Sequence, residues 1–499
     1  MRAEMNFKEI LDELARRFPS QIAISDLTTD KQQKITFSEL VERVGELKEI
    51  ISAQTRPDQG VALLLPTGLE SACAFWASVC ADRTYIPLFA DMALERLQSI
   101  LEDTSPGLIL QSRDIGEALR PLLRDLGYEE SGFLAARDVC YYRKSSGRSF
   151  GVAERPAAIV HTSGSTGIPK GIMHSKKSLQ SAIAAFRDTF DVKPGDRVFT
   201  TIPHHFDVAI FDVFSLLMKG AEIIIPNSSL FESPRKLAEF LASENVACFH
   251  AVPTTSRLLL NYGKPERFEY SSLRHVITGG EILTPDIAQR IKSVFRNASL
   301  HNLYGPAEII CCTYFSIPDD FFSVPREAVP IGRVFGNNEF RLGPDGELFV
   351  TGEQLMIGYW NKPELTAERI SFIDGKRWYA TGDLVRVDEN GLLVYRGRRD
   401  RMVKRRGIRI ELDDIQNNLT KLPGVVEAAV VSKDDYFQGC RIIAHVCLAE
   451  GHEQDALTLK DLCSSVLPKD LVPDRFEIHK GLPRTSTGKI DYQTLARLN

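Results

Sequence analysis

Between Thr162 and Gly171 the chain reads Thr-Ser-Gly-Ser-Thr-Gly-Ile-Pro-Lys-Gly. Gly164, Gly167 and Gly171 let the backbone come close to a ligand and turn its N–H groups toward one point. Thr162, Ser163, Ser165 and Thr166 add hydroxyls and Lys170 adds a positive charge, so the segment suits a polyphosphate. It is not a Walker A loop, because no Gly-Lys-Ser/Thr follows at that motif's spacing. Taken alone, a Ser/Thr/Gly run is equally what a flexible connection looks like. Two other clusters invite chemistry. Arg396 to Arg409 is strongly basic, yet it carries little aromatic interleaving in a chain of net charge −5, which favours a hinge with an anion-contacting segment over a nucleic-acid patch. Cys311-Cys312 suggests a metal only superficially: adjacent cysteines chelate poorly, and small apolar side chains on a strand are the simpler reading.

These residues need a scaffold, and composition narrows it. A length of 499 residues allows two to four domains. The apolar share of 43% and charged share of 25% are those of an ordinary globular protein. Apolar runs such as Ala72 to Ala81 are too short to span a bilayer, and Met1 to Arg17 lacks a signal-peptide core. The nine cysteines form no CxxC pair, which points to free thiols in a reducing cytosol. The expectation is a monomeric cytoplasmic protein with neither nucleic acid nor membrane as its partner.

Short β-rich runs (Gly60 to Pro66, Gly107 to Gln111, Ala157 to His161, Arg197 to Ile202, Glu222 to Pro226, Val246 to His250, His275 to Thr278) alternate with helical stretches. In Glu39 to Ile51, for instance, Leu40, Val44, Leu47 and Ile51 share one face. The alternation predicts an α/β fold of mainly parallel sheets covered by helices. From about Ala328 Gly-punctuated strands take over, predicting a smaller β-rich unit, and a βα-type tail follows. A boundary near Asp400 divides the chain into 1–399 and a smaller α+β domain, 400–499.

Five segments now appear in a fixed order: His161 to Gly171; His205-Phe206-Asp207-Val208; Asn302-Leu303-Tyr304-Gly305-Pro306-Ala307-Glu308; Tyr379-Ala380-Thr381-Gly382-Asp383-Leu384; and Gly397 to Gly407 followed by Ser486-Thr487-Gly488-Lys489-Ile490. Together they resemble the signature set of adenylate-forming enzymes: acyl-CoA synthetases, luciferases and the adenylation domains of nonribosomal peptide synthetases. The resemblance runs from about Ile35 to Asp491 and is narrower toward the amino-acid-activating branch. It implies that a carboxylate attacks the α-phosphate of ATP, pyrophosphate leaves, and a thiol then attacks the acyl adenylate. One anion approaches another, so catalysis is mostly positioning and charge neutralisation.

By that resemblance the Thr162 to Gly171 loop holds the β- and γ-phosphates, with Lys170 in support. Gly280, Glu281, Asn302 and Gly305 belong to the nucleotide site, and Tyr304 stacks on adenine. Asp383 takes the ribose hydroxyls and Arg398 contacts ribose or phosphate. Glu308 matches the Mg²⁺-associated glutamate, and Lys489 the lysine that reaches the substrate carboxylate and α-phosphate. Asp400 matches the hinge about which the tail rotates for the thiol step. Ala307 departs from the family's usual threonine, which puts one phosphate contact in doubt.

Asp207 matches the carboxylate that pairs with the substrate's α-ammonium; a buried acid without a cation is expensive. Alignment on the motifs adds Val208, Phe211, His250, Ile277, Gly279, Leu303, Cys311 and Cys312 to the pocket. With no second charge there and Phe211 limiting depth, a small uncharged side chain is expected: serine, alanine or proline in size. The pattern is similar to serine-activating domains, but Cys312 stands where those place an acid. The chain ends soon after Lys489 with no carrier domain, so the expected acceptor is the phosphopantetheine thiol of a separate carrier protein. The alternatives are an acyl-CoA synthetase that uses CoA, or a non-catalytic protein that binds nucleic acid through the Arg396 to Arg409 run.

Overall fold

The computed structural model describes residues 5–29, 32–150, 155–162, 169–435, 438–449, 451–452, 454–484 and 490–498. Ser163, Gly164, Ser165, Thr166, Gly167 and Lys489 lie outside the described residues.

Two large sheets carry the first three hundred or so residues. The first has nine strands whose centre (Ser299–Tyr304, His275–Gly279, Val246–His250, Arg197–Thr200, Glu222–Ile225, Ile22–Asp26) is parallel throughout, with antiparallel strands at both edges. The second has eight strands around a parallel centre of Gly60–Leu64, Thr84–Pro87, Leu108–Ser112 and Ala158–Thr162. Gly60–Leu64 and Val246–His250 are buried at every position, as strands covered on both faces must be. Phe37–Gln54 is the helix predicted from Leu40, Val44, Leu47 and Ile51, all of which are buried. It starts two residues earlier than its apolar pattern does, because Thr36 caps it. Glu39 N–H donates to the Thr36 hydroxyl at 3.3 Å, and the Glu39 carboxylate accepts the Thr36 N–H at 2.7 Å. One apolar cluster joins the two sheets: Leu63 and Trp76 meet Phe214 and Val198, and the Trp76 indole N–H donates to the Val213 carbonyl at 2.9 Å.

Parallel strands place their carboxyl ends on one side, where open α/β sheets bind ligands. Here His250, Gly279 and Tyr304 are the last residues of three adjacent strands, and all three open onto one cleft. A third, antiparallel sheet supplies the opposite wall. Its strands Lys376–Val387 and Leu393–Arg398 pair Asp383 with Arg398 in register. The tail follows. It consists of a hairpin (Met402–Arg405 and Ile408–Glu411) and a three-stranded sheet (Val425–Asp435, Gly439–Leu448, Arg475–His479) with helices Leu412–Leu419, Ala456–Val466 and Tyr492–Arg497. It encloses its own apolar cluster around Ile410, Ile415, Val430, Ile442 and Phe476. Among the described residues, no helix is long and apolar enough to cross a membrane. All nine cysteines are unbonded.

Candidate active site

The cleft has a volume of about 1580 Å³ and is walled by both large sheets, the third sheet and the tail hairpin. At one end, Asp383 is fixed from two sides. The Tyr304 hydroxyl donates to Oδ2 at 2.5 Å and Arg398 Nη1 to Oδ1 at 2.6 Å. Arg398 is itself clamped by Asp400, through Nε at 2.6 Å and Nη2 at 2.8 Å. Burial and the Asp383 carboxylate together push the Tyr304 phenol well above its ordinary range, so it remains a donor. A carboxylate held this way can accept two vicinal hydroxyls at the mouth of the cleft.

Glu308 follows the turn after Tyr304 and is fully buried. Arg409 Nη1 of the tail donates to both of its oxygens at 3.1 Å, the Tyr359 hydroxyl donates to Oε1 at 2.7 Å, and Lys170 Nζ lies 3.7 Å away. Burial works to raise its pKa, but Arg409, Lys170 and Tyr359 outweigh it and hold the carboxyl far below its usual range. In this arrangement the Arg409 guanidinium of the tail is seated across both oxygens of Glu308, so the Mg²⁺ role expected of Glu308 would need the tail to withdraw, and no step below runs through a metal.

Gly305 explains how the turn stays tight. A Cβ there would lie 2.3 Å from the Ile310 carbonyl oxygen and 2.5 Å from the Cys311 Cα. Ile310 itself is held at φ +60°, a strained conformation for a β-branched residue. Gly305→Ala should therefore displace Tyr304 and Glu308 together and lower kcat/KM for ATP by about a hundredfold, the scale of a 1 Å misplacement. Steady-state kinetics on a variant with an unchanged circular dichroism spectrum checks this.

The inner pocket is lined by Asp207, Val208, His250, Gly279, Leu303 and Cys311. Asp207 faces the cleft and is half-buried. Burial raises its carboxyl to about 6, against the pull of Lys404 on the tail hairpin. His250 is not loose: its Nδ1 lies 2.9 and 3.0 Å from the two oxygens of buried Asp212, which also accepts the Thr200 hydroxyl at 2.7 Å. Three expected wall residues sit elsewhere. Phe211 starts a π-helical turn, Phe211–Leu216, and stacks on Phe186 with ring centroids 4.2 Å apart. Ile277 lies one alternation below Gly279 and joins the apolar layer under the pocket. Cys312 points opposite to Cys311, as neighbours on an extended chain do, and packs with Tyr304, Ile331 and Leu348.

The remaining expected nucleotide contacts divide. Thr162 and Gly280 line the cleft. Asn302 spends its amide on the Pro330 carbonyl at 2.9 Å. Glu281 accepts the Thr254 N–H at 2.9 Å and the Gly407 N–H of the tail at 2.8 Å, so it holds the hairpin in place. Lys170 is buried over the Tyr359 ring, and burial lowers it to about 8. Arg96 Nη2 pairs with Asp414 Oδ2 of the tail at 2.9 Å. Arg484 and Ile490, which flank the Lys489 segment, bridge to one another, and neither belongs to the cleft wall. The sequence reading missed Asp212, Tyr359, Lys404 and Arg409 as individuals. The basic run did signal an anion contact, and Arg409 on Glu308 is one.

Comparison with known proteins accords with this geometry. The sequence pattern of AMP-binding enzymes matches residues 11–360, and that of the AMP-binding enzyme C-terminal domain matches residues 414–489. The dapdiamide synthesis protein DdaD of Enterobacter agglomerans is 32% identical over 97% of this chain and 81% of its own length. The amide bond synthetase McbA from Marinactinospora thermotolerans has the same fold at a TM-score of 0.82, with 22% identity over 99% of each chain. The Vibrio cholerae adenylation domain AlmE, solved with glycyl-adenosine-5'-phosphate, superposes at 0.79 with 24% identity over 98% of this chain and 97% of its own.

Proposed function

The chain belongs to the AMP-binding enzyme family, an ATP-dependent adenylate-forming ligase related to nonribosomal peptide synthetase adenylation domains, and on that premise we propose that it activates a small, uncharged amino acid as aminoacyl-AMP and passes the acyl group to a carrier protein's phosphopantetheine thiol. The observation that carries this reading is Asp207, a carboxylate turned into the cleft whose burial raises it to about 6. A desolvated anion of this kind is relieved by a cation, and an α-ammonium supplies one. A carboxylic acid lacking the amino group would leave the charge uncompensated.

The roles then follow the walls of the cleft. Asp207 holds the ammonium, and Val208, Leu303 and Cys311 bound a small side chain. His250, with Nδ1 committed to Asp212, keeps one imidazole orientation against that side chain. Tyr304 and Asp383 hold adenosine. The substrate carboxylate oxygen attacks the α-phosphorus, the bond to pyrophosphate breaks, and the charge passes to the leaving group. A thiolate then attacks the acyl carbon and AMP leaves. Adenylation in the superposed AlmE, which holds glycyl-adenosine-5'-phosphate, supports the first half. A holo-carrier as acceptor, with CoA as a poor substitute, is tested by transfer of radiolabelled amino acid. Rapid, saturable aminoacyl-CoA formation would instead favour an acyl-CoA synthetase.

The same carboxylate sets a pH dependence. Its pKa is raised above the ordinary carboxylate value, so the anion that binds the ammonium is lost as pH falls through about 6. Below that point kcat/KM for the amino acid should drop about tenfold per unit. Pyrophosphate exchange between pH 5 and 8 measures it, and Asp207→Asn should lose that limb of the profile.

A further inference from the structure

Strand Arg475–His479 runs parallel to Gly439–Leu448 in the tail sheet, with His445 opposite Glu477. Side chains two apart on a strand share a face, so His479 stands on the same side as Glu477 and His445. The same three atoms meet in every pairing. His445 Nδ1 is 2.9 Å from His479 Nε2 and 3.3 Å from Glu477 Oε2, and His479 Nε2 is 3.8 Å from that Oε2. Zn²⁺ bound tetrahedrally at about 2.0–2.1 Å spaces its ligand atoms about 3.3 Å apart. The three separations bracket that edge.

The surroundings suit ligation. His445 is fully buried. Glu477 turns Oε1 to Arg475 Nε at 3.1 Å, which leaves Oε2 toward the two imidazoles. His479 is 24% exposed, so the fourth side opens to solvent. Arg475 and Lys433 are the nearby cations that oppose a metal. None of the three residues belongs to the wall of the adenylation cleft.

We propose that His445, Glu477 and His479 form a site for a divalent transition metal of the Zn²⁺ class, with three protein ligands and one solvent position. Two imidazoles and a carboxylate select borderline ions such as Zn²⁺ and Co²⁺ over Mg²⁺. The site ties together two neighbouring strands of the tail sheet. It does not depend on the identity of the adenylated substrate.

Titration of chelator-stripped, full-length protein with Co²⁺ tests the proposal. Visible absorption should saturate at one equivalent, be displaced by Zn²⁺, and be lost in both His479→Ala and Glu477→Gln. Zn²⁺ should raise the Tm of the wild-type chain and leave both variants unmoved. His479 closes a strand at its solvent-facing end, and should His479→Ala fail to fold, the near-isosteric Glu477→Gln carries the same readouts. Absorption that never saturates at one equivalent, or that survives unchanged in a folded variant, overturns the assignment.

Discussion

Lys489→Ala should reduce amino-acid-dependent ATP–pyrophosphate exchange by about a thousandfold or more, the scale of losing a charge aimed at a developing oxyanion. Transfer to the acceptor from a supplied, preformed aminoacyl adenylate should fall much less. The contrast is expected because the resemblance assigns Lys489 to the α-phosphate, where charge develops in the first half-reaction alone. The tail hairpin provides the complementary case. Lys404 lines the cleft beside Asp207 and Asp383, and Arg409 closes on Glu308. Arg409→Ala removes one partner of a buried pair, which typically costs about 3–5 kcal/mol. Its loss should loosen the docked tail and slow acyl transfer more than exchange. If both half-reactions fell equally in Lys489→Ala, the lysine would be supporting the fold of the tail rather than the chemistry.

Asp207→Asn should raise KM for the amino acid by about a hundredfold, equivalent to about 3 kcal/mol for a desolvated ion pair that has lost one member. KM for ATP should stay within about twofold, because Asp383, Arg398 and Tyr304 are untouched. Isothermal titration of nucleotide and amino acid separately distinguishes the two effects. Equal losses in both affinities would mean that Asp207 supports the cleft as a whole rather than the ammonium.

Much of the fold was legible because its strands are short, β-rich and bounded by turn residues, and because Leu40, Val44, Leu47 and Ile51 spell a helix face. The parallel centre followed from the alternation of strand and helix. Within the site, Asp207, Tyr304, Asp383 and Arg398 were legible only through the resemblance of their segments to the signature set of adenylate-forming enzymes. Position along the chain was a poorer guide to orientation. Cys311 and Cys312 are adjacent and face opposite layers, and Phe211 is rotated inward by a π-helical turn that apolar periodicity does not encode. Asp212 pairs with His250, and Tyr359 and Arg409 pair with Glu308. Such pairings join residues dozens of positions apart and exist only once the sheets and tail have packed. For the same reason the triad on the tail strands escaped notice, since Glu477 and His479 look like ordinary surface residues until register sets His445 beside them.

The most direct measurement is ATP–pyrophosphate exchange over a panel of amino acids and their des-amino counterparts. The expected result is exchange driven by a small, uncharged amino acid such as serine, alanine or proline. The matched carboxylic acid without the amino group should be inactive, and Asp207→Asn should erase the difference between them. Exchange driven equally well by the des-amino acid, or only by fatty or aromatic acids, would contradict the assignment of Asp207 to a substrate ammonium.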